Sequence, residues 1–133
     1  MSTTTTPIKS VSITVLPAIG ADLDGGAFFG ITTRKDGTHC AAVLLPAQSD
    51  KRLPWKPAMA WAAKQGGELP SRPVAAMLFA NLKDKLTPNW HWTSAEDDAS
   101  YAWGCDFDHG GQYGTHESYE GSVVAVRLIP LTA

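Results

Sequence analysis

The chain has 133 residues, is 44% hydrophobic and 18% charged, and carries a formal net charge of -2 with a pI near 6.0. That length suits one domain with its own core, and that apolar content excludes wholesale disorder. A slightly acidic chain without a basic run has no electrostatic footprint for nucleic acid, since its densest cationic group, Lys51, Arg52 and Lys56, is too small to count as a patch.

Residues 1–9 are Ser/Thr-rich and read as a flexible N-terminal leader, without the basic-then-apolar layout of a signal peptide. Residues 10–133 are expected to form a single domain. Val11, Ile13 and Val15 alternate with Ser12 and Thr14, the period-2 pattern of a half-buried strand. Residues 20–26 are a turn region. A second strand is expected over 27–33, a tight turn at Lys35-Asp36-Gly37, and a hairpin partner over 38–45.

The middle of the chain is helical. Pro57 suits the first turn of a helix, Ala58, Trp61 and Ala62 share one face, and Gly66-Gly67 supplies the stop. Ser71 is a natural N-cap for a second helix, along which Val74, Met77, Leu78, Leu82 and Leu86 repeat at helical spacing until Pro88. Strands are expected again over 90–94, 100–107 and 122–129, with a loop at 108–121 rich in Gly, His, Tyr and Glu. No segment approaches the roughly 20 apolar residues of a membrane-spanning helix, so no membrane insertion is expected. Strands, two central helices, then strands again predict an α+β fold with antiparallel sheets.

Several motifs occur in a familiar order. Glu68-Leu69-Pro70-Ser71-Arg72 is followed by Phe79-Ala80-Asn81-Leu82-Lys83-Asp84, then by Trp90-His91-Trp92-Thr93-Ser94. Ala102-Trp103 and Phe107 come next, and Val124-Ala125-Val126-Arg127 closes the series; Gly30-Ile31 and Val43-Leu44-Leu45-Pro46 precede it. The chain thereby resembles, from about residue 28 to 129, a bacterial and phage domain family of unknown biochemical role. That family is named after the C-terminal domain of a collagen-like adhesin and has a C-type-lectin-like fold. It commonly carries acidic residues where this chain has Pro73-Val74, and the collagenous stalk of the adhesin is absent here. The resemblance implies a lectin-like scaffold whose late strands and loops display a recognition surface.

The segment from Asp106 to Glu117 has partial calcium-loop spacing, with Asp106, Asp108, Gly111 and Glu117 at positions 1, 3, 6 and 12. Gly110 at position 5 offers no side-chain oxygen and the flanks read as strands, so an EF-hand is rejected. Asp106, Asp108 and Glu117 remain only as candidates for a looser site, and the plainer reading is a polar hairpin tip. The four histidines lack zinc-ligand spacing, no cofactor fingerprint appears, and no catalytic motif is found. Cys40 and Cys105 read as small core hydrophobes, with a single bridge between them as the alternative. Glu96-Asp97-Asp98 reads as a solvated turn. Trp55, Trp61, Trp90, Trp92 and Trp103 are expected in the core.

The tyrosines offer apolar area and a hydroxyl at low entropic cost, which suits recognition. The expected binding surface comprises Asp97, Asp98, Tyr101, Asp108, His109, Gln112, Tyr113, His116, Glu117 and Tyr119. These residues and the resemblance lead to a non-enzymatic, phage- or prophage-encoded structural or receptor-binding module, with a protein or a cell-surface glycan as partner. It is expected on the virion, as in a tail fibre, or in the host cytoplasm, and as a homo-oligomer with a trimer favoured. The alternatives are a glycan-binding adhesin-type domain assisted by calcium, and a small phage protein that binds and inhibits a host protein.

Overall fold

The computed structural model describes residues 7–133. Residues 1–6 of the expected leader lie outside the described residues. In chain order the elements are β1 (Val11–Ser12), a 3-10 turn (Ile13–Val15), β2 (Asp22–Leu23), β3 (Gly26–Thr33) and β4 (His39–Gln48). Two helices follow, α1 (Trp55–Lys64) and α2 (Arg72–Leu82), and a second 3-10 turn (Lys83–Lys85). The chain then forms β5 (Trp90–Asp98), β6 (Tyr101–Asp106), β7 (Gln112–His116) and β8 (Val124–Thr132). The fold is α+β. One sheet runs β1-β8-β4-β3-β2 and the other β5-β6-β7, antiparallel throughout except where β1 pairs with β8.

Local chemistry explains the elements. Asp24 and Gly25 both take positive φ (52° and 88°) in the two-residue connection between β2 and β3, the geometry that matches the twist of paired strands. The Arg127 side chain bonds the carboxylate of Asp24 and, at 2.8 Å, its backbone carbonyl, tying this hairpin to β8. In α2 the Ser71 hydroxyl accepts the Val74 N–H at 3.3 Å, satisfying one orphan donor of the first turn. Past α1, Gly66 takes φ 82° and the Gly67 N–H reaches back to the Ala62 carbonyl at 3.2 Å, which ends the helix.

The core lies on both faces of the large sheet. On one face α2 buries Val74, Ala75, Leu78 and Leu82 against Phe29, Ala42, Leu44, Cys105, Phe107, Val124 and Val126. Beside it α1 buries Trp55, Ala58 and Ala62 against Leu45, Leu69, Trp92, Ala102 and Val123. On the other face Val11, Phe28, Ala41, Val43 and Ile129 form a smaller cluster. Each large side chain buried this way contributes about 1.5–3 kcal/mol. Cys40 and Cys105 are free, fully buried thiols within these walls, so no bridge joins them, and burial pushes the Cys105 thiol up.

Four expectations are corrected. The alternation at Val11, Ile13 and Val15 does not make a strand: pairing stops at Ser12, and Ile13 and Val15 are exposed in the 3-10 turn, whose first residue pair is capped by the Ser12 hydroxyl. The helix ends at Leu82, and Leu86 is buried from beyond the following 3-10 turn. Segment 108–121 is not all loop, because β7 runs through it beside β6. Glu96, Asp97 and Asp98 are the exposed end of β5, not a turn. No helix among the described residues is long and apolar enough to cross a membrane.

Candidate recognition surface

The small sheet brings part of the expected surface together and divides the rest. Cross-strand register places Trp92, Gly104 and Tyr113 side by side, with Trp90 two residues along β5. Side chains alternate between sheet faces, so Trp90, Trp92 and Tyr113 share one face. The Trp90 ring meets Trp92 edge-on at 4.4 Å, Tyr119 edge-on at 5.4 Å and Tyr113 at 6.5 Å. Trp92 is fully buried, whereas Tyr113 and Tyr119 are 49% and 47% exposed, so the cluster grades from core to solvent.

Two glycines make this possible. A Cβ on Gly104 would fall inside the Trp90 indole, and one on Gly121 would meet that ring at 2.7 Å and Trp92 Nε1 at 2.9 Å. The indole therefore lies flat between two bare backbone segments. Its own Nε1 is buried and has no partner among the described residues.

Glu117 follows on the same side. Its backbone joins three elements: its N–H donates to the Ser100 carbonyl at 2.8 Å, and its carbonyl accepts from Trp55 N–H at 3.0 Å. Its carboxyl lies within hydrogen-bonding reach of Glu96. Desolvation first, and then the shared bond and like charge of Glu96, push the Glu117 carboxyl above its ordinary range, against the pull of Lys56 and His116. Glu117 Oε2 is also buried without a partner among the described residues.

The remaining candidates lie elsewhere. On the opposite face Tyr101 stands across from His116, their rings edge-on at 5.4 Å. His116 Nδ1 is occupied by Ser118, from its hydroxyl at 2.7 Å and its N–H at 3.2 Å. Gln112 is committed to structure: its Oε1 accepts from Arg72 Nε at 3.0 Å and its Nε2 donates to the Arg72 carbonyl at 2.7 Å. Arg72 in turn stacks on Trp103 at 3.6 Å, so Trp103 is a half-buried platform for an arginine and not a core residue. Trp61 and Trp90 are likewise only half-buried. The Asp97 carboxylate overhangs Gly114, and Asp98 accepts the Ser100 N–H at 3.1 Å within the β5–β6 connection.

Asp106, Asp108 and His109 occupy the β6–β7 tip. His109 Nδ1 is 3.3 Å from Asp108 and 3.8 Å from Asp106. Glu117 lies beyond the other end of β7, so the calcium-loop spacing does not converge in space. The described residues contain no group of three His, Cys, Asp or Glu side chains arranged to hold a metal ion.

Sequence reasoning missed Trp90 and Glu96 as members of the surface. The available signal was the glycine pair Gly104 and Gly121, which marks a close approach to a flat ring. The sequence matches no protein-family model and no curated protein.

Proposed function

We propose that this chain is a non-enzymatic recognition module on a C-type-lectin-like scaffold, serving a phage or prophage particle by reading a cell-surface glycan. The observation that carries the reading is the Trp90–Tyr113–Tyr119 cluster, two of whose rings are half open to solvent and backed by a half-buried indole. Such rings stack on the C–H faces of sugars at little entropic cost. Trp90 Nε1 supplies an unused donor beside them. Buried polar atoms without partners are rare in folded proteins, and a ligand hydroxyl would satisfy it after a small opening of the rim.

Charge narrows the class of glycan. Glu96 and Glu117 lie toward the far end of the small sheet and Glu120 follows Tyr119 in the chain, a negative balance that disfavours sulfated or uronic saccharides. Neutral and amino-bearing sugars fit. The homo-oligomer expected from the sequence would add avidity by presenting several tyrosine faces at once.

The test is an immobilised panel of neutral, amino and acidic oligosaccharides probed with the wild type and with Tyr113→Ala/Tyr119→Ala. Retention by neutral or amino members, and its loss in the double variant, supports the reading. Binding confined to acidic members, or equal binding by both proteins, overturns it.

A further inference from the structure

A second site lies apart from the tyrosine face. A cleft of about 220 Å³ is lined by Gln48, Ser49, Asp50, Lys51 and Arg52 after β4, by Thr87 and Asn89 before β5, and by His91, Ser122 and Val123. Its lining residues are polar apart from Val123, although none of them belongs to the expected binding surface.

The charges here are available. Neither Lys51 nor Arg52 forms an ion pair within the described residues, and Asp50 is the one carboxylate on the rim. The hydroxyls of Thr87 and Ser122 and the carboxamide of Asn89 likewise have no side-chain hydrogen bond there. Two cations against one carboxylate, with neutral donors between them, favour an anion.

His91 sets which anion. It is 2% exposed and its ring packs on Phe107 at 4.6 Å. Nδ1 lies 2.9 Å from the Asn89 carbonyl, which only accepts, so Nδ1 carries the proton. Burial, reinforced by the Arg52 charge, lowers the imidazole to about 4 against the opposing pull of that carbonyl, so the ring is neutral at physiological pH. Nε2 is then a lone-pair acceptor with no partner among the described residues. An acceptor in a cationic cleft calls for an anion that also donates.

We infer that this cleft binds phosphate that retains a proton, the two cations holding its charged oxygens and His91 Nε2 accepting its P–O–H. Hydrogen phosphate keeps a proton throughout the neutral range, whereas sulfate has none and would set an oxygen lone pair against that of Nε2. One unmatched acceptor of this kind is worth about tenfold or more in affinity. The same chemistry is offered by the monoanion of a phosphate monoester, whose last proton leaves near pH 6.

The experiment is a titration of the ¹⁵N-labelled protein with inorganic phosphate, sulfate and glycerol phosphate at pH 6 and pH 8, following the His91 imidazole and the binding isotherm. Phosphate should move the Nε2 resonance and bind about tenfold or more tighter than sulfate. Arg52→Gln and Lys51→Gln, both at exposed positions, should weaken phosphate binding without unfolding the protein. Glycerol phosphate weakening from pH 6 to pH 8 while inorganic phosphate holds identifies the inorganic ion as the ligand; a parallel fall of both overturns the assignment of the bound proton. Equal affinity for sulfate, no movement of the His91 resonance, or indifference to both charge removals would each overturn the site.

Discussion

Gly104→Ala tests whether the exposed aromatic cluster depends on a bare strand beneath it. The added methyl would occupy space now filled by the Trp90 ring, with even the third-nearest ring atom at 2.5 Å where about 3.5–4.0 Å is needed. The ring has little room to slide, because the Gly121 backbone also lies so close that a Cβ there would meet it at 2.7 Å. Overpacking a core costs about 1–3 kcal/mol, and a rigid indole held on both sides places this case near the upper end, about 3 kcal/mol. The indole should swing outward, and its contacts with Tyr113 and Tyr119 should go with it. Urea unfolding followed by tryptophan fluorescence reads the stability, and near-ultraviolet circular dichroism reads the cluster. Gly37→Ala is the control: its Cβ meets nothing within 4 Å but φ is 92°, so it should cost about 1 kcal/mol and leave the aromatic signal intact. A Gly104→Ala protein within about 0.5 kcal/mol of wild type, with an unchanged aromatic spectrum, would refute this packing.

Three further outcomes follow from charge and burial. His91 sits near 4 when folded against 6.5 in a free chain, so the unfolded state binds the proton first; its contribution is complete above about pH 6.5 and is lost as pH falls toward 4. Acidification from pH 7 to 4.5 should therefore remove about 2–3 kcal/mol through this residue, and His91→Phe should abolish that part of the slope in a pH series of urea midpoints. Glu117 is displaced the other way, so its contribution is complete below the ordinary carboxylate range and is lost as pH rises; Glu117→Gln should raise the thermal midpoint at pH 7 and flatten its pH dependence. Asp24→Asn leaves the Arg127 charge, 18% exposed, without its counter-ion and should cost about 2 kcal/mol, most of which returns when Arg127→Met is added, as a double-mutant cycle would show.

Much of the fold was legible because local signals agreed with one another. Ser71, the apolar spacing of α2 and the Gly66 stop each name a helix boundary by a mechanism that acts within a few residues. The Asp36-Gly37 turn marks its hairpin for the same reason, whereas the β2–β3 hairpin at Asp24-Gly25 reads only as a turn region. The errors came where tertiary context decides. Val11, Ile13 and Val15 alternate well, yet β1 pairs with β8 only through Val11 and Ser12 before the backbone tightens into a 3-10 turn. β7 was hidden because Gln112, Gly114 and His116 dilute its β propensity, and it forms only because β6 offers an edge. Within the site, Tyr113 and Tyr119 follow from composition alone and both rings pack on Trp90. Gln112 and Trp103 were misjudged because their partner, Arg72, stands 40 residues before the glutamine. The convergence of Lys51 and Arg52 with His91 is a product of topology that no spacing rule contains.

The central claim, glycan recognition by the tyrosine face, is tested most directly on whole bacteria. Fluorescent wild-type protein and Tyr113→Ala/Tyr119→Ala would be bound to a panel of cells left untreated, oxidised with mild periodate to open sugar diols, or stripped with protease. Glycan recognition predicts wild-type binding that periodate abolishes, protease spares and the double variant lacks. Binding that protease abolishes and periodate spares would contradict it and identify a protein as the partner.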